Sequence, residues 1–122
     1  MNIEGLSVEL SVCKVTDYSQ VNIDLEFCFT GKTDEEKSLV CLTDAVPANV
    51  TDRDDGWKAM RISGQLDFSL IGILSGISSE LAKHAIGIFA ISTFNTDYIL
   101  VKSSDFEKAL DVLERKGYSV EK

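Results

Sequence analysis

Thr93, Asn95 and Asp97 occupy alternate positions in a turn-like segment and offer two neutral hydrogen-bonding side chains and one carboxylate. A carboxylate placed there suits an ammonium or another cationic group. Earlier in the chain, Gly64-Gln65-Leu66-Asp67-Phe68-Ser69 forms a loop leading into an apolar run with helical spacing. The first N–H groups of a helix lack intrahelical partners and carry partial positive charge, so they suit a carboxylate ligand. An acceptor for a carboxylate beside an acceptor for an ammonium describes a free amino acid. Asp97 serves equally well as a turn residue bonded to its own backbone.

Other reactive groups are scarce. His84 is the single histidine and lies beside Lys83 near a helix end, where the dipole favours a capping or surface role over a general base. Asp67 and Asp97 could converge, but a carboxylate pair without further context is more often a binding or solvated feature. There is no H-E-x-x-H, G-x-S-x-G, phosphate loop or G-x-G-x-x-G. Cys13, Cys28 and Cys41 contain no C-x-x-C and read as reduced, partly buried thiols of a cytoplasmic protein. Asp52-Arg53-Asp54-Asp55-Gly56 reads as a solvated turn linking two halves and lacks the ligand spacing of a calcium hand. The expectation is a non-catalytic protein without metal or cofactor.

Charge narrows the partners. Of the 122 residues, 1–56 hold 12 acidic and 4 basic side chains, whereas 57–122 hold 8 of each. A net charge of −8 without a Lys/Arg cluster argues against nucleic acid and anionic membrane surfaces. The longest uncharged runs, 68–79 and 85–96, are too short to span a bilayer. No basic segment followed by an apolar stretch opens the chain, so no signal peptide is expected.

The elements that must hold these residues follow from periodicity. Leu6, Val8, Leu10 and Val12 alternate with mostly polar residues, as do Val21, Ile23, Leu25, Phe27 and Phe29. Both predict strands, and 38–42 a third. Pro47 limits any helix near it to about a turn. In the second half, 57–63 reads as a strand. Leu70, Ile73, Leu74, Ile77 and Leu81 form the stripe of a helix capped by Asp67 or Ser69 and ended by Gly87. Gly72 and Gly76, four apart in that helix, imply close packing, a bound ligand or a second copy. Residues 86–93 and 98–101 form a hairpin. Ser104-Asp105-Phe106-Glu107 is a capping box for a helix burying Phe106, Ala109, Leu110 and Leu113. Gly117 ends it, and 118–120 give a last strand.

The order β-α-β-β-α-β over 57–122 predicts an α+β, ferredoxin-like domain with two helices on one face of a four-stranded sheet. In that order the first and third strands are central neighbours, which brings the turn at 94–97 near the loop at 64–69. The mainly β residues 1–56 pack beside it.

Residues 56–70, Gly56-Trp57 through Gly64-Gln65-Leu66-Asp67-Phe68-Ser69-Leu70, resemble a family pattern, G-W-x-x-[hydrophobic]-x-[hydrophobic]-x-G-P-L-D-F-S-L. Ile86-Gly87-Ile88-Phe89-Ala90-Ile91-Ser92-Thr93 and Thr96-Asp97-Tyr98-Ile99-Leu100-Val101 resemble its I-S-I-F-A-I-S-T and T-D-Y-I-L-V. These are signatures of small stand-alone ACT-domain proteins. Gln65 and Gly87 depart from the pattern's proline and serine. The segment 91–97 is also similar to the last ACT unit of cytosolic arginine-sensing proteins. The resemblance implies a ferredoxin-like βαββαβ repeat at 57–122, a degenerate ACT-like half at 1–56, and a regulatory amino-acid binder, commonly dimeric. It implies Asp67, Phe68, Thr93, Phe94, Asn95 and Asp97 as ligand contacts. The alternative is an interaction module with a vestigial pocket, docking a partner through its sheet face or helices.

Overall fold

The computed structural model describes residues 2–62 and 72–122. The chain divides into Val8–Trp57 and a second unit made of Met1–Ser7 with Lys58–Lys122. This differs from a division at 56/57 chiefly in the first seven residues, and the reason is a short strand, β1 (Asn2–Gly5).

In the larger unit, β1 joins the end of β5 (Val50–Ile62), β6 (Phe89–Ser92), β7 (Asp97–Lys102) and β8 (Ser119–Glu121) in the order β6-β7-β5-β1-β8. β5 and β7 are neighbours, as expected. The four-strand expectation needs correction, because β1 lies between the first and last strands. Ile3 pairs antiparallel with Ile62 and parallel with Val120. A Cβ added at Gly5 would come within 3.2 Å of both Phe106 and Leu110, so the strand passes close beneath a helix.

The helices are α1 (Ile73–Lys83) and α2 (Phe106–Lys116). Ile77 and Leu81 of α1 and Phe106, Ala109, Leu110 and Leu113 of α2 are buried in one cluster with Ile3, Met60, Ile62, Ile99 and Val101 from the strands. Alternate strand residues therefore meet the helical stripes, which places both helices on one face. The N-cap of α1 is Gly72 in a left-handed conformation, φ 81°. The expected caps, Asp67 and Ser69, lie outside the described residues. Gly76 has a different reason for being glycine: its Cβ would sit 3.2 Å from the Tyr118 hydroxyl. Gly117 ends α2 as expected, with Tyr118 N–H donating to the Leu113 carbonyl at 3.1 Å. Gly87 does not end α1. That position is taken by Ala85 at φ 57°, and Ile86 N–H donates to the Leu81 carbonyl at 3.1 Å. Closure requires the residue just after the cap His84, and Gly87 comes two positions too late.

In the smaller unit, β2 (Leu10–Val15), β3 (Phe29–Lys32), β4 (Lys37–Leu42) and the start of β5 form an antiparallel array in the order β3-β4-β2-β5. Three expectations change. The strand expected from Leu6 to Val12 is instead a strand-free connection over 6–9 followed by the start of β2 at Leu10. Residues 21–28 form no strand and turn at 23–27: Ile23 is 68% exposed, and Leu25 N–H donates to the Asn22 carbonyl at 3.3 Å. Asn22 and Asp24 supply the competing local bonds, as Asp24 N–H donates to Asn22 Oδ1 at 3.2 Å. Finally, 52–56 is not a turn but part of β5, where Asp52 faces Lys14 across the ladder. Its Asp55 accepts a 2.5 Å hydrogen bond from Ser11, which in turn accepts one from Thr43 at 3.0 Å. That chain satisfies the buried Ser11 hydroxyl.

Cys13, Cys28 and Cys41 are free thiols packed in one cluster. Burial raises all three, and Cys41 is pushed up to about 11 from 9.0. Such thiols are poor nucleophiles near neutrality.

Candidate functional site

The hairpin β6–β7 builds the turn that carries most of the predicted contacts. Phe89, Ala90, Ile91 and Ser92 stand opposite Leu100, Ile99, Tyr98 and Asp97. Between them, Thr93 N–H and Thr93 Oγ1 both donate to the Thr96 carbonyl at 2.8 Å, and Thr96 N–H donates to Thr93 Oγ1 at 3.4 Å. Thr93 and Asn95 are exposed and Phe94 is 74% exposed. Asp97 is half-buried at the foot of β7. Among the described residues no Lys or Arg pairs with its carboxylate, which leaves it suited to a ligand cation.

Thr96 is the exception in the turn. It is buried, and its hydroxyl donates to the Ile62 carbonyl at 2.7 Å. The tip of the hairpin is therefore tied to the last residue of β5. Thr93, Phe94, Asn95 and Asp97 come together on this turn, whereas Asp67 and Phe68 lie outside the described residues. In sequence, both follow Ile62 closely.

A second polar group lies on the neighbouring strands. Arg61 donates from Nε and Nη2 to the two carboxylate oxygens of Glu4, at 3.1 and 3.4 Å, and from Nη1 to the Tyr98 hydroxyl at 3.4 Å. Its guanidinium lies 6.0 Å from the Tyr98 ring centre. The hydrogen bonds to Glu4 and Tyr98 hold Arg61 above its ordinary range. Sequence reasoning missed Thr96 and this trio, because each depends on contacts between residues far apart in the chain.

His84 is exposed and caps α1. Its Nδ1 donates to the Glu80 carbonyl at 3.1 Å, which fits a structural role. In the smaller unit, an open, largely apolar cavity of about 380 Å³ is bordered by Val8, Glu9, Leu42, Thr43 and Asp44, and shares no lining residue with the turn. No described helix is long and apolar enough to cross a membrane.

Comparison with known proteins adds four matches. The ACT domain family model matches residues 52–115. The rat cytosolic arginine sensor for mTORC1 subunit 1 is 38% identical over 61 residues, which make up 49% of this chain and 18% of the sensor. Thus the match spans less than a fifth of the sensor's length. Among solved structures, a structural-genomics target from Agrobacterium tumefaciens is 32% identical, with a TM-score of 0.85, covering 98% of this chain and 90% of that one. The regulatory subunit of aspartate kinase from Thermus thermophilus is 8% identical, with a TM-score of 0.61 over 93% and 95% of the two chains. This last likeness is one of fold alone.

Proposed function

From the premise that the chain belongs to the ACT domain family, we propose that it is a non-catalytic regulatory protein that binds a free amino acid. The carrying observation is the turn at 93–97. It exposes Thr93, Phe94 and Asn95 beside the half-buried Asp97, and its base is tied to the end of the strand that leads to Asp67 and Phe68. Asp97 receives the ligand's cationic group, Thr93 and Asn95 supply hydrogen bonds, and Phe94 offers an aromatic face. Asp67 and Phe68 complete the contacts. The arginine sensors that the chain resembles over 61 residues support an amino acid as ligand, without specifying which one.

The smaller unit, in this reading, is a reduced ACT-like repeat, and the working form is a cytoplasmic homodimer. A thermal-shift screen of the common free amino acids at millimolar concentration tests the proposal, with mass by light scattering read on the same samples. A ligand at one hundred times its Kd adds about 2.7 kcal/mol of apparent stability. No shift with any amino acid would reject the binding site and favour docking of a protein partner. A monomeric mass throughout would remove the dimer.

A further inference from the structure

Building on that amino-acid site, we infer that Thr96 is its positioning residue: a buried hydroxyl that sets the ligand-facing turn on the end of β5. Its neighbours in the turn face solvent, yet Thr96 is only 8% exposed. A buried hydroxyl requires a partner, and Thr96 has one in the Ile62 carbonyl at 2.7 Å. Its main chain also closes the turn, accepting two 2.8 Å bonds from Thr93 and donating one of 3.4 Å back. One residue thus controls both the shape of the turn and its attachment.

Asp97 follows Thr96 directly and inherits its placement. The same bond anchors the end of β5 at Ile62. The hairpin of β3 and β4 offers a control. Thr33 N–H donates to the Glu36 carbonyl at 2.9 Å, matching the Thr93–Thr96 bond, but Glu36 is exposed. Among the described residues no side-chain bond ties Glu36 to another strand.

Thr96→Val removes the hydroxyl at similar volume, and Thr96→Ser restores it. Hydrogen exchange of the Thr93 amide should quicken about tenfold in the valine variant, the worth of roughly one hydrogen bond. It should return toward wild type in the serine variant, while the Thr33 amide stays unchanged in both. Calorimetry with the standard free L-amino acids should show about tenfold weaker binding of the wild-type ligand by Thr96→Val and near-normal binding by Thr96→Ser. Unchanged exchange at Thr93, or equal quickening at Thr33, would overturn the local tie. Faster exchange at Thr93 with unchanged affinity would overturn its role in the site. If wild-type protein binds none of the amino acids, the site itself is rejected, whereas exchange still decides whether Thr96 holds the turn.

Discussion

The hairpins at 29–42 and 89–102 repeat one backbone design with different side chains. Phe29 opposite Val40 and Lys32 opposite Lys37 match Phe89 opposite Leu100 and Ser92 opposite Asp97. A threonine opens each four-residue turn, and its N–H donates to the fourth residue's carbonyl at 2.9 and 2.8 Å. Each second strand buries three successive residues, Leu39-Val40-Cys41 and Ile99-Leu100-Val101. Each runs into a 3₁₀ turn, Thr43–Ala45 or Ser103–Asp105. The turn contents and the chain beyond then diverge. Asp34, Glu35, Glu36 and Lys37 stand where the second hairpin has Phe94, Asn95, Thr96 and Asp97. The second continues into α2, whereas the first meets Pro47, which cannot continue a helix ladder, and enters β5. Backbone geometry is therefore common property, and recognition depends on the few residues that differ.

Binding gives the widest expected separation. Asp97→Ala should abolish any amino-acid thermal shift, whereas Lys37→Ala, at the corresponding place in the first hairpin, should leave it intact. A shift that survives Asp97→Ala would remove that residue from the site.

Core truncation should separate the hairpins by less. Ile99→Ala should cost toward the upper end of about 2–5 kcal/mol, and Leu39→Ala toward the lower end. Ile99 sits in the large helix-backed cluster, whereas Leu39 shares its cluster with three other buried residues, bordered by partly exposed neighbours that can settle into the gap. Urea unfolding of both variants measures the difference, and equal losses would show that the two cores respond alike.

The smallest difference concerns pH. Cys41 occupies the place of Val101, and its thiol is raised from 9.0 to about 11 by burial and by nearby Cys13 and Cys28. A native thiol that keeps its proton more tightly than the unfolded chain adds stability that is complete below pH 9. That stability is lost as pH rises toward 11. Cys41→Val should reduce the fall in urea midpoint over this range, with Cys13 and Cys28 leaving a residual slope of the same sign. An unaltered fall would exclude Cys41 as its source.

Local pattern revealed the second hairpin well, since the apolar runs read at 86–93 and 98–101 coincide with strands that have partners and a core. The alternation at 21–29 misled, because period two predicts a strand only where an edge is available to pair. Here Asn22 and Asp24 provide bonds within turns instead. The run at 52–55 misled in the opposite direction. Its charges hide a strand whose partners, Ser11, Cys13 and Lys14, lie about forty residues earlier. Four of the six proposed contacts were readable as a turn. The tie that holds that turn was not, because no local pattern links Thr96 to Ile62.

The intercalated strand β1 has a consequence for biosynthesis. All strands of Val8–Trp57 have been made once residue 57 leaves the ribosome, whereas Asn2 must wait for Ser119 to complete its parallel pairing. Contacts so distant in sequence form late because closing the intervening chain is entropically costly. The smaller unit is therefore expected to gain amide protection before β1 and β8 do. Pulse-labelled hydrogen exchange during refolding would reveal that order, and early protection at Ile3 and Val120 would reverse it.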